Sequence, residues 1–394
     1  MGYGTVGSGV IEVLQTNKER IDQRAGDEIY VKYILDLRDF PGNPIQEKII
    51  HDFQVIAEDP SIQIVVEVMG GIEPAYTFVK QCLAGKSVVT SNKALVAKHG
   101  AELLSIAREK NINFLFEASV GGGIPIIRPL NSSMTADEIE EITGILNGTT
   151  NYMLSKMFYE GADYEEVLKE AQEKGYAERN PEADVEGYDA CRKIAILSSL
   201  ISGQQVDFED IYTEGITQIT KEDMLYAKAM GMTIKLLACS RRDEDHIHAI
   251  VAPYLLSASH PLYSVNDVFN AIFVHGNVLG DAMFYGSGAG KLPTASAVVS
   301  DIVDEVKHLN RNIMTMWDQK KVELLPIADT SKRFFVRIEG DPQSMRAHLE
   351  SKFGLIRIVQ AESLDEEFGF LTEVMTEGEY AKCAEEFPGI LHMI

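Results

Sequence analysis

Cysteine is scarce in this 394-residue chain: Cys82, Cys191, Cys239 and Cys383 stand far apart, with no C-x-x-C pair and no histidine cluster nearby. The spacing suggests neither a disulfide framework nor a zinc site, and it fits the reduced thiols of a cytoplasmic protein. Long apolar runs are missing too. None approaches the ~18 residues of a membrane span, and no charged-then-apolar leader is visible. Positive charge is in deficit, with 36 Lys and Arg against 60 Asp and Glu, a net charge of -24. That balance argues against nucleic acid or an anionic membrane as partner, so cofactor phosphates must be held by backbone N–H groups and a few local cations. Repeats and low-complexity stretches are also absent. A composition of 45% hydrophobic and 24% charged residues fits a globular chain of two or three domains.

The chain opens MGYGTVGSGV, in which Gly2, Gly4 and Gly7 have the G-x-G-x-x-G spacing of a dinucleotide site. Such a loop comes after a β-strand, yet Met1 alone precedes it. The expectation is that the first and most central strand, roughly ten residues, is missing from this chain. Beyond the glycines the sequence alternates regularly: a helical stretch from Val10, the apolar run IYVKYILDL, the strand SIQIVVEVMGG, the helix EPAYTFVKQCLAGK, the strand SVVT, the helix AELLSIAREKN and the strand INFLFEASV. Strand–helix alternation over about 125 residues is the pattern of a doubly wound parallel, Rossmann-like α/β domain.

The sequence divides into three regions. Residues 1–132, with a returning helix near 286–318 after the glycine-rich turn GSGAG, form the dinucleotide-binding domain. Residues 133–285 mix strands and helices in an α+β substrate-binding and dimerisation domain. Residues 330–394 read as a small α+β unit of order β-α-β-β-α, too small to be the catalytic body.

Candidate chemistry falls at strand ends and on one helix. In EGYDACRK, Asp189 and Lys193 are four apart on a predicted helix and share a face, and the helix continues as apolar IAILSSLI, which turns the lysine toward a cleft rather than solvent. Glu178 and Asp184 lie in the loop upstream. Lys93 is expected in the loop after the strand SVVT, where parallel α/β sheets bind ligands. Glu117 is expected to end a strand ahead of GGGIP, whose carbonyls could surround a hard cation. Asp36 and Arg38 end the second strand, where an acid suits a ribose hydroxyl and an arginine a 2′-phosphate, leaving NAD and NADP both open. Asp36 lies 29 residues beyond Gly7, so the intervening helix is extended.

These stretches, above all GILNGTTNYML and KGYAERNPEADVEGYDACRKIAIL, resemble homoserine dehydrogenase of the bacterial type with a C-terminal extension. The resemblance implies interconversion of L-homoserine and L-aspartate 4-semialdehyde with NADP or NAD, a step toward threonine, methionine and isoleucine. It implies Lys193 as the acid–base, Asp189 as its orienting partner and Lys93 on the opposite side of the reacting oxygen. Glu178, Asp184 and Gly175 would form the substrate loop. Cofactor contacts would fall on Gly2, Gly4, Thr5, Val6, Gly7, Arg38, Gly70, Ser91, Lys93, Gly288 and Gly290. A sodium ion would lie at Glu117, Val120, Gly122 and Ile124. Residues 333–394 take the place of an ACT-like regulatory or assembly domain, and a homodimer or homotetramer is expected. The alternative is a catalytically impaired, homo-oligomeric amino-acid-binding or scaffold protein, disabled by the missing strand.

Overall fold

The computed structural model describes residues 1–243 and 246–394. It divides into two compact units: Met1–Ile142 with Arg192–Asp210 and Asn270–Val322, and Thr143–Cys191 with Ile211–Phe269 and Glu323–Ile394. Among the described residues no helix is long and apolar enough to cross a membrane.

In the first unit, parallel strands Ile64–Glu67, Ser87–Thr90 and Phe114–Leu115 pair in that order, joined through the helices Ala75–Cys82 and Lys93–Glu109. The central strand is buried throughout, so it reads as a continuous apolar run. A second parallel pair joins Ile34–Leu35 to Ile49–Ile50. Met1 and Gly2 lie between the two sets: Val68 N donates to Met1 O and Gly2 N to Leu35 O, at 3.0 and 2.8 Å. Alongside runs an apolar cavity of about 210 Å³, lined by Val10, Leu14, Ile34, Ile64, Val66 and Ile302.

Three local expectations need correction. Of IYVKYILDL only Ile34–Leu35 is strand, because the ladder of this segment is confined to Ile49–Ile50. Lys93 is not in a loop but opens the Lys93–Glu109 helix, since Asn92 caps that helix by accepting from Leu95 N–H at 3.2 Å. Glu117 does not end a strand; the strand stops at Leu115 and Glu117 begins a 3₁₀ turn, Glu117–Ser119.

The Thr5–Thr16 helix packs on the Lys291–Lys307 helix through Val10, Leu14, Ala295, Val298, Val299 and Ile302. Burial of such side chains contributes about 1.5–3 kcal/mol each for the larger ones. The approach is close at Gly9, where a Cβ would lie 2.8 Å from Lys291 O.

The second unit is built on a long antiparallel pair, Met232–Asp243 with His246–Ser257, whose outer partner Tyr212–Thr213 runs parallel to the latter. Its C-terminal part has strand order Arg357–Val359, Glu367–Leu371, Phe335–Glu339, Ile390–Met393, all antiparallel. The order along the chain is β-α-β-β-α-β, one strand more than the sequence suggests. The last strand is four residues long, too short for alternation to show, and it lies just after Gly389. Both faces of Phe335–Glu339 are covered. Phe334, Val336 and Ile338 meet Leu349, Phe353 and Phe370, while Phe335 packs on Tyr226 and Arg337 reaches Asp223 and Glu367.

Candidate active site

The glycine loop is shaped by its own backbone. Gly2 has φ +94°, a left-handed value, and a Cβ on Gly7 would sit 2.1 Å from Gly2 O. Gly4 caps the helix without a side-chain hydrogen bond. The first-turn amides, including those of Thr5 and Val6, are therefore available to an anion, as in other phosphate-binding helix starts.

Asp36, just after the Ile34–Leu35 strand, accepts from Tyr3 N–H at 2.7 Å and from Arg38 Nε at 2.9 Å. Arg38 Nη2 also donates to Tyr3 O at 3.1 Å. The guanidinium of Arg38 holds the Asp36 carboxyl well below the usual carboxylate range. Much of the acid's accepting capacity is taken, whereas Arg38, 61% exposed, keeps N–H groups toward solvent.

At the ends of the parallel strands a buried lattice fixes Gly70, Ser91 and Lys93. Glu67 accepts from Met69 N–H and Thr90 Oγ1 at 2.7 and 2.6 Å, Ser91 N donates to Glu67 O at 3.3 Å, and Asn92 Nδ2 donates to Gly71 O. Gly70, φ +82°, turns the chain there. Lys93 is half-buried in the first turn of its helix.

Glu117 is buried, and its carboxylate accepts three backbone N–H groups, from Ile126, Ile127 and Arg128, at 2.6, 2.9 and 2.7 Å. Asp301 accepts from Glu117 N–H at 2.8 Å and pairs with Arg128. Burial first, then the Glu117 charge, push the Asp301 carboxyl well above its ordinary range, against the pull of Arg128. The carbonyls of Val120, Gly122 and Ile124 accept none of the backbone hydrogen bonds that shape this turn among the described residues. Gly122 is pressed against the second glycine turn: a Cβ on it would lie 2.2 Å from Gly288 O, and one on Gly288 would lie 1.9 Å from Asn270 Nδ2. Gly290, φ +118°, then caps the Lys291–Lys307 helix.

In the second unit Asn147 gathers two acids. Its Nδ2 donates to Asp184 Oδ1 at 2.7 Å and to Asp189 Oδ2 at 3.0 Å, while its Oδ1 caps the Gly148–Glu160 helix by accepting from Thr150 N–H at 2.9 Å. Asp189 is 4% exposed, and Lys193, one turn on in the Tyr188–Ser202 helix, is 7% exposed. A solvated surface pair is thereby excluded. Gly175, φ +74°, ends the Tyr164–Glu173 helix, and Glu178 comes next on an exposed stretch outside the Asn147 group.

Sequence reasoning missed Asn147, Asn92, the Arg128–Asp301 pair and a buried cation, Lys235. For the asparagines the signal was present: each precedes a helix at its N-cap position. Lys235 donates to Asn151 Oδ1, Val265 O and Asn266 Oδ1 at 3.1, 2.6 and 2.9 Å, and burial lowers its pKa to about 8. A lysine inside TIKLLACS gives no pattern that separates it from a solvated one.

Comparison with known proteins places the chain in a family. A family model described as homoserine dehydrogenase matches residues 125–303, and one described as homoserine dehydrogenase, NAD binding domain, matches residues 2–117. The homoserine dehydrogenase of Synechocystis is 42% identical over 98% of this chain and 94% of its own. The crystal structure of a homoserine dehydrogenase from Thiobacillus denitrificans superposes with a TM-score of 0.91 at 38% identity, over 99% of this chain and 94% of that one. A hyperthermophilic archaeal homoserine dehydrogenase in complex with NADPH gives a TM-score of 0.63 at 29% identity, over 77% and 95%. With its glycine loop, its buried Asp189 and Lys193 and its NAD-binding domain, the chain belongs to the homoserine dehydrogenase family of oxidoreductases.

Proposed function

We propose that the chain interconverts L-homoserine and L-aspartate 4-semialdehyde with NADP, with Lys193 as the acid–base, Asp189 as its orienting partner and Lys93 as a second cation toward the same oxygen. The observation that carries this reading is the burial of Asp189 and Lys193 one turn apart, with Asp189 held by Asn147. Nothing in the fold or among the relatives supports the scaffold alternative.

The residues present fit the cofactor. Gly2, Gly7 and the start of the Thr5–Thr16 helix, which has no side-chain cap, make a cradle that a Cβ would fill. Gly4, Thr5 and Val6 would meet the pyrophosphate with backbone N–H groups, Gly70, Ser91 and Lys93 would border the cofactor at the strand ends, and Gly288 and Gly290 would border it from the second turn. Arg38 would meet the 2′-phosphate, which supports NADP over NAD, as does the NADPH complex of the archaeal relative. When bound, the nicotinamide supplies the acceptor or donor of hydride at the carbinol carbon.

Lys193 takes the hydroxyl proton as the alcohol is oxidised and returns it in the reverse direction. Asp189 fixes the direction of that transfer. Glu178, with Asp184 and the bend at Gly175, would meet the substrate ammonium. The carbonyls of Val120, Gly122 and Ile124 suit a sodium ion. Glu117 would join through its own carbonyl, because its carboxylate is committed to three amides.

The test is NADPH oxidation with L-aspartate 4-semialdehyde. Lys193→Ala is expected to lower kcat by ~10²–10⁴-fold in a folded protein. A folded variant with full kcat would refute the assignment.

A further inference from the structure

We propose that Asn147 is a positioning residue of this reaction: its side-chain amide divides its two N–H groups between Asp184 and Asp189 and so holds both carboxylates ionised and aimed. This rests on the assignment of Asp189 made above.

The polarity of the Asn147 amide is fixed from its other end. Oδ1 accepts from Thr150 N–H at 2.9 Å and from Thr150 Oγ1 at 3.1 Å, so a flipped amide would set NH₂ against a helix-start N–H. Nδ2 must therefore face the acids. An amide NH₂ carries two donors, and the structure shows two acceptors, Asp184 Oδ1 at 2.7 Å and Asp189 Oδ2 at 3.0 Å. An ionised carboxylate accepts without donating and is the stronger acceptor, and a hydrogen bond to the charged form favours it.

Asn147 is 6% exposed, so water is poorly placed to replace those bonds. Asn147 comes from the start of the Gly148–Glu160 helix, Asp184 from the short Glu182–Val185 helix and Asp189 from the Tyr188–Ser202 helix. One side chain thus ties three helix starts together around the proposed orienting acid. The other charged groups on those elements are Glu182, Arg192 and Lys193, with Glu186 at the cap of the short helix and Lys156 and Glu160 at the far end of the Gly148–Glu160 helix.

Two variants separate positioning from capping. Asn147→Ser keeps a good N-cap oxygen but replaces the two amide N–H donors with a single O–H on a shorter side chain that cannot serve both acids. Asn147→Asp keeps size and cap but sets a third carboxylate against the two acids, one of which must then hold a proton.

Expected for Asn147→Ser is near-native thermal stability with kcat lowered ~10–100-fold and the acid limb of its pH profile moved up by about one unit, as loss of a donor to a carboxylate should do. Expected for Asn147→Asp is a larger upward shift. Equal acid limbs in wild type and both variants, with activity lost only in proportion to unfolding, would overturn the proposal. Wild type is the control for the reading beneath it, because absence of wild-type turnover counts against the assigned reaction instead.

A second readout is independent of turnover. The raised carboxyl pKa in Asn147→Asp makes that variant lose Tm relative to wild type as pH rises from about 4 to 7. A Tm difference that does not change with pH would refute the arrangement.

Discussion

The backbone N–H of Tyr3 donates to the Asp36 carboxylate across 2.7 Å, and Arg38 closes the group by bonding to both residues. The acid that would otherwise greet a ribose hydroxyl is spent on the glycine loop and its neighbour. On the reading proposed above, the exposed guanidinium is the group that would meet a 2′-phosphate. Arg38→Ala should therefore raise KM for NADPH by ~10–100-fold, the value of one or two charge-assisted hydrogen bonds, and change KM for NADH little. Equal effects on both cofactors would show that Arg38 serves the loop and not the phosphate.

Glu305 gives a stability prediction with a definite sign. It is fully buried, accepts from Asn113 Nδ2 at 3.1 Å, and burial pushes its carboxyl up to about 7. A raised folded pKa means its stabilising share is present below the ordinary glutamate pKa and is lost as pH rises through 7. Glu305→Gln keeps the acceptor and removes the titration. It should be more stable than wild type by about 3 kcal/mol at pH 8 and no more stable near pH 4, measured by urea unfolding at both.

Arg337 anchors the C-terminal sheet to the Lys221–Ala229 helix. It lies between Asp223 and Glu367 at 2.8 and 3.0 Å, and His392 reaches Asp223 at 2.9 Å. Removing one member of a buried pair leaves a charge uncompensated. Arg337→Met should cost about 3–5 kcal/mol in urea unfolding, with Asp223→Asn restoring part of it in the double variant. A loss below about 1 kcal/mol would mean that the pair is solvated in solution.

Gly288 is held by contact rather than by φ. A Cβ would fall 1.9 Å from Asn270 Nδ2 and 2.8 Å from Asn270 Cβ, so the buried Asn270 would have to shift. Gly288→Ala should weaken cofactor binding by at least ~10-fold in fluorescence titration while the helices persist by circular dichroism. Unchanged binding would remove this turn from the cofactor site.

Legibility followed length and period. The parallel strands and their helices were readable because buried strands give continuous apolar runs and helices give spaced ones. Lengths were not: Glu117 folds back onto three amides and ends its strand early, and Asn92 starts a helix where a loop was expected. Where residue type and helical spacing singled out residues, as at Asp189 and Lys193, the fold buries both one turn apart. The site was not legible where an uncharged side chain acts through geometry. Asn147 sits in a glycosylation-like triplet and shows its role only once Asp184 and Asp189 are folded next to it. The ion pairs Arg128–Asp301 and Arg337–Asp223 join residues more than a hundred positions apart, which no local pattern reports.

The most direct test of the proposed reaction is to follow the hydride itself. Cofactor carrying deuterium at the transferring position of the nicotinamide is mixed with L-aspartate 4-semialdehyde and the protein, and the product is read by mass spectrometry. The expected product is L-homoserine with a single deuterium at its carbinol carbon, lost in Lys193→Ala while cofactor binding persists. Unlabelled homoserine, or labelling by Lys193→Ala at the wild-type rate, would contradict it.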